Sequence, residues 1–67
     1  MDVGRRIGAK VRELRKAQGL SQEELAARSG IDRTYVSQIE RAVKNVTIVS
    51  LDKVARGLGI SLAELVS

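Results

Sequence analysis

The chain has 67 residues, no cysteine, no histidine, no proline and a formal net charge of +4. One domain of this length lies near the lower limit for folding without staples; the missing residue types exclude disulfides, thiolate chemistry, the usual metal ligand and the usual general base. Scattered acids, no apolar run near the ~20 residues that span a bilayer and no signal-peptide core lead us to expect a cytoplasmic protein that is not an enzyme and has no metal, cofactor or membrane.

The first helix is set by Val3, Ile7, Val11 and Leu14, an apolar stripe at helical spacing. Gly4 and Gly8 weaken its first turns, each by roughly 1 kcal/mol relative to alanine, and Gly19 follows its end. This helix carries the whole charge excess. Residues 1–16 hold six basic groups, Arg5, Arg6, Lys10, Arg12, Arg15 and Lys16, against Asp2 and Glu13, while residues 17–67 balance. Such a face is either a solvated helix or an attractor of polyanions, DNA being the commonest in a cell. The pattern that follows it favours DNA.

The second helix opens with Ser21 as N-cap, Glu24 completing a capping box, and Leu20 and Leu25 as a hydrophobic staple. The third repeats the staple, with Asp32 as cap between Ile31 and Val36. Thr47 caps the fourth, with Val46 and Leu51 as its staple; its inner face runs on through Val54, Ala55 and Leu58, and Gly59 closes it. The fifth has Ser61 and Glu64 as a second capping box, stapled by Ile60 and Leu65. The fold class is therefore all-α, five short helices in a single domain spanning 1–67, with no internal repeat and no disordered tail.

The stripes sum to one small core: Val3, Ile7, Val11, Leu14, Leu20, Leu25, Ala26, Ile31, Val36, Ile39, Leu51, Val54, Leu58 and Ile60. It contains no large aromatic, so dimerisation would help it. Ile48, Val49, Leu62 and Val66 cannot all face inward on short helices. They are either scattered exposed apolar residues, which are common, or a homodimer interface, the reading preferred here.

Residues 22–41, QEELAARSGIDRTYVSQIER, form a helix-turn-helix pattern. Ala26 permits close approach of the two axes, Gly30 permits the positive φ of a sharp turn, and Val36 and Ile39 bury one side of the second helix. Its other side presents Arg33, Thr34, Ser37, Gln38 and Arg41, all able to bond base edges or phosphates. Tyr35, the only aromatic, is either a core filler or an exposed phenol on DNA. Periodicity does not separate these, and we place it on the DNA backbone.

SQEELAARSGI, then DRTYVSQIER, then Asn45 and Thr47, then LDKVARGLGISLAEL together resemble the Cro/repressor-type helix-turn-helix regulators, the XRE family. The resemblance covers residues 7–65. Within it, DRTYVSQIER with a short loop to N-x-T, in a chain without an effector domain, resembles restriction–modification controller proteins. The resemblance implies a compact lambda-repressor-like five-helix domain that binds double-stranded operator DNA as a homodimer, third helix in the major groove. It implies base reading by Arg33, Thr34, Ser37 and Gln38, a phosphate contact by Gln22, and a structural ion pair between Arg15 and Glu40. Two departures stand out. Ala42 replaces the usual glycine after the recognition helix and Val46 the usual proline. Alanine held left-handed costs about 1 kcal/mol, or the helix ends differently, so the shape of the 42–46 loop stays open.

Base contacts specify and phosphate contacts fix register. Arg33 suits guanine, Gln38 adenine, and the Thr34 methyl a thymine methyl. Ser21 and Gln22 suit phosphate at the amino end of the second helix, where Glu23 opposes by repulsion unless turned away. Arg41, Lys44 and Asn45 suit the backbone across the groove. The pattern shows no small-molecule ligand site. The competing expectation is a protein-interaction module on the same scaffold, such as the antitoxin subunit of a toxin–antitoxin pair.

Overall fold

The computed structural model describes residues 3–42 and 46–67. Those residues form five helices and no strand: α1 (Val3–Ala17), α2 (Gln22–Ser29), α3 (Arg33–Glu40), α4 (Ile48–Leu58) and α5 (Leu62–Val66). Each start expected from the capping residues is present. Ser21 and Ser61 form complete capping boxes with Glu24 and Glu64, the Asp32 carboxylate accepts the Thr34 N–H, and the Thr47 hydroxyl accepts the Ser50 N–H.

The core is built from Val11, Leu25, Ala26, Val36, Ile39, Leu51, Val54, Ala55, Leu58 and Leu65, with Ile7, Leu14, Ile31 and Ile60 half-buried around it. Two expectations need correcting. Val3 is 58% exposed, because an apolar stripe buries only where another helix lies against it, and the first turn of α1 overhangs the core. Leu65, expected only as a staple partner of Ile60, is instead the deeply buried member of that pair, at 1% exposure.

Local chemistry sets the angle between α2 and α3. Gly30 takes φ 69°, and Ile31 N–H donates to the Ala26 carbonyl at 3.1 Å. This closes α2 and starts the chain toward α3 within two residues. Ala26, almost fully buried, brings the two helices together without a large side chain between them.

A second close approach comes from α1. A Cβ on Gly8 would collide with the backbone carbonyl of Ile39 and stand 3.0 Å from that of Glu40. The glycine therefore lets α1 lie directly against the backbone at the end of α3. On the far side, Gly57 of α4 packs over Ser29 of α2, whose buried hydroxyl has no hydrogen-bond partner. Two further polar ties hold α1 in place: the Gln18 side-chain amide donates to the Leu58 carbonyl at 2.8 Å, and the Lys10 ammonium donates to the Glu64 carbonyl of α5.

The resulting frame leaves the outer face of α3 and the amino end of α2 side by side. The turn that leaves α3 is left-handed at Ala42, φ 58°, so of the two outcomes open for that position the strained one is present.

Candidate nucleic-acid interface

The sequence of α3 divides cleanly between its two sides. Val36 and Ile39 are buried in the core, Arg33 and Thr34 are exposed, and Ser37 and Gln38 are half-buried. Arg33, Thr34, Ser37, Gln38 and the exposed Arg41 recur at helical spacing on one face. Tyr35 is half-buried with its ring packed against the core. Part of that side chain is thus spent on packing, and the rest stays open on the DNA-facing side where the sequence reading placed it.

Behind this face lies a polar network that begins with a buried ion pair. Arg15 Nε donates to Glu40 Oε2 at 2.7 Å, Nη2 to Oε1 at 3.1 Å, and Nη1 to the Leu20 carbonyl at 2.8 Å. Both side chains are about nine-tenths buried or more. The hydrogen bonds to Glu40 raise the Arg15 pKa above its ordinary value, outweighing the opposing effect of burial. Arg15 is committed to structure. Lys10, tied to α5, is likewise withdrawn from the free positive face, which leaves Arg5, Arg6, Arg12 and Lys16 exposed along α1.

Gln22 joins the ion pair to the outer face. Its amide donates to Glu40 Oε1 at 3.2 Å, and its carbonyl oxygen accepts from Arg33 at 3.4 Å. The resemblance placed Gln22 on phosphate; the fold adds a second task, holding Arg33 at the start of α3. No spacing in the sequence announces that contact, because it joins two helices across the turn. One amide hydrogen of Gln22 stays open for an anion.

At the amino end of α2, the Ser21 hydroxyl accepts the Glu24 N–H at 3.0 Å and the Ser21 N–H donates to the Glu24 carboxylate at 2.9 Å. The bond from the Ser21 N–H, helped by the Ser21 side chain, holds the Glu24 carboxyl below its ordinary pKa. The box leaves the N–H groups of Gln22 and Glu23 without a partner in their own helix, open to an anion beside Arg33. Glu23 is exposed.

Lys44 and Asn45 lie outside the described residues. Of the four apolar residues left over by the core, Ile48 and Val49 are each 65% exposed at the start of α4. Val66 is half-buried. Leu62 is half-buried and packs on the core with part of its surface still exposed. Among the described residues there is no cluster of three or more acidic, histidine or cysteine side chains, and no helix is long and apolar enough to cross a membrane.

The helix-turn-helix family profile matches residues 11–65, nearly all of the region just described. This chain belongs to that family, in its Cro/repressor (XRE) branch. It is 49% identical over 67 residues to control protein C.MunI of a Mycoplasma species, covering 98% of this chain and 90% of that one. Among solved structures, the restriction–modification controller protein C.AhdI from Aeromonas hydrophila superposes with a TM-score of 0.86 at 48% identity, covering 92% of this chain and 94% of that one. C.Esp1396I bound to a 19 base pair DNA duplex gives a TM-score of 0.86 at 35% identity, covering 97% and 87%. The relatives are transcriptional regulators and controller proteins rather than enzymes. The chain is a DNA-binding regulator of that controller type.

Proposed function

We propose that this protein binds an inverted-repeat operator as a homodimer in the cytoplasm, with α3 in the major groove, and controls restriction–modification genes. The observation that carries the reading is the exposed face of α3, with Arg33, Thr34, Ser37 and Gln38 on it and the open N–H groups of α2 beside it. Arg33 reads guanine through its two-pronged guanidinium, with Gln38, Thr34 and Ser37 reading adjacent positions. Gln22 and the α2 amides hold one phosphate strand; Ser21 supports them as cap, and Arg41, Lys44 and Asn45 take the other strand. The C.Esp1396I complex with duplex DNA supports DNA binding by similarity of fold. Ile48 and Val49, exposed side by side, supply the self-association face together with Val66.

On this reading the regulator responds to its own concentration: a weak dimer binding cooperatively acts as a threshold. Selection of bound sites from random duplex DNA tests the reading. The expected outcome is two related half-sites in inverted order, centred about 10 bp apart, one helical turn. Recovery of unrelated sequences would overturn it. Sedimentation showing only monomer at high micromolar concentration would remove the dimer from it.

A further inference from the structure

The first helix and the end of α3 enclose an open groove lined by Arg5, Ala9, Arg12, Glu40, Arg41 and Ala42. Arg5, Ala9 and Arg12 fall at i, i+4 and i+7, one face of α1. Two alanines leave room between them and the helix end. Glu40 is the one acid in the lining, and both of its oxygens are taken, by Arg15 and Gln22. Among the described residues the ion pairs are Arg15–Glu40 and Arg56–Asp52; Arg5, Arg12 and Arg41 have no carboxylate partner. Three unpaired cations therefore face one concavity, around a carboxylate already neutralised. An ordinary solvated surface interleaves opposite charges.

The geometry points to a phosphate clamp: Arg5, Arg12 and Arg41 hold a backbone phosphate of the operator duplex, beside the reading face of α3. This rests on the DNA-binding reading above and deepens it. Gln22 touches both ends of α3, Arg33 at its start and Glu40 at its close, and the arginine groove lies on the α1 side of Glu40. Arg41 belongs to both the reading face and the groove, so a duplex seated on α3 brings its backbone to the groove mouth. The contact is to phosphate, so it adds affinity without sequence preference.

The test compares the wild type with an Arg5→Gln/Arg12→Gln double variant on the selected operator and on a scrambled duplex, across a salt series. Both arginines are exposed, and a melting curve verifies the fold. The expected result is a slope of log K against log salt smaller in magnitude by about 1 to 2, the same on both duplexes, with the operator-to-scrambled ratio unchanged. An Arg6→Gln/Lys16→Gln variant removes equal charge from α1 outside the groove and is expected to change the slope by less. Equal loss in both variants, an unchanged slope in the first, or a loss confined to the operator overturns the clamp while leaving the DNA-binding reading intact. A wild type that binds neither duplex in a salt-dependent way overturns that reading itself, and the clamp with it.

Discussion

The two ends of α3 are held by opposite kinds of device. At its leading end the main devices are short-range: Gly30 at φ 69°, the bond from Ile31 to Ala26 across the turn, and the Asp32 carboxylate on the Thr34 N–H at 2.8 Å. At its trailing end the holding contacts come from a distant part of the chain and are buried. Arg15 reaches Glu40 from 25 residues away, and Gly8 brings α1 against the backbone of Ile39 and Glu40. An eight-residue helix is marginal by itself in water. The local end decides where α3 starts, and the distant end decides how it is aimed. For a helix that reads base edges, aim is the functional quantity.

The sharpest way to break the comparison is to remove the distant anchor. Glu40→Ala leaves the buried Arg15 guanidinium without its counter-charge, and such a loss costs about 3–5 kcal/mol. That is most of the net stability of a domain this small. Chemical denaturation is expected to show the variant largely unfolded without denaturant. Replacing both partners, Arg15→Met with Glu40→Met, restores much of the loss because no charge remains buried. A Glu40→Ala midpoint equal to the wild type's would remove the ion pair as the anchor of the trailing end.

Gly8→Ala attacks the same end through packing. The new Cβ meets backbone carbonyls, which cannot swing aside as a side chain can. Overpacking of this kind costs about 1–3 kcal/mol, here at the upper end, against roughly 1 kcal/mol gained in helix propensity. A net loss of about 2 kcal/mol is expected from denaturant midpoints. A more stable variant would mean that α1 does not press on α3.

The same division explains what was legible in the sequence. The helix starts were readable because Ser21 with Glu24, Asp32, Thr47, and Ser61 with Glu64 act within three residues of themselves. The outward face of α3 was readable because Val36 and Ile39 fix its buried side. The Arg15–Glu40 pair came only from family resemblance, since no periodicity links positions 25 apart. Gly8 read as a poor helix former because the backbone it touches lies on another helix. Val3 kept the period of the α1 stripe and still found nothing to pack against. The contact between Gln22 and Arg33 was hidden in the same way.

A smaller effect separates the two turns that flank α3. Gly30 and Ala42 both adopt the left-handed conformation, at φ 69° and 58°, but only one is a glycine. A Cβ on Gly30 meets nothing within 4 Å, so Gly30→Ala costs conformational energy alone, about 1 kcal/mol. Ala42→Gly relieves a similar strain, less what glycine adds to the freedom of the unfolded chain. Paired thermal melts should therefore move in opposite directions, down for Gly30→Ala and slightly up for Ala42→Gly. A fall in both would show that Ala42 makes contacts worth more than its strain.

The mildest probe acts on the leading end alone. The Thr34 N–H holds the exposed Asp32 carboxyl below its ordinary pKa, chiefly through that backbone hydrogen bond. A group depressed on folding contributes its full stability above its unfolded pKa and loses it as pH falls through the folded value. Asp32→Asn keeps a capping oxygen but has no proton to gain. Above the ordinary aspartate range the wild type should be slightly the more stable, because a carboxylate also favours a helix amino end. Below that range its advantage should vanish, and the difference between the two midpoints should close. A difference that stays constant down the pH series would mean that Asp32 caps α3 by shape rather than by charge.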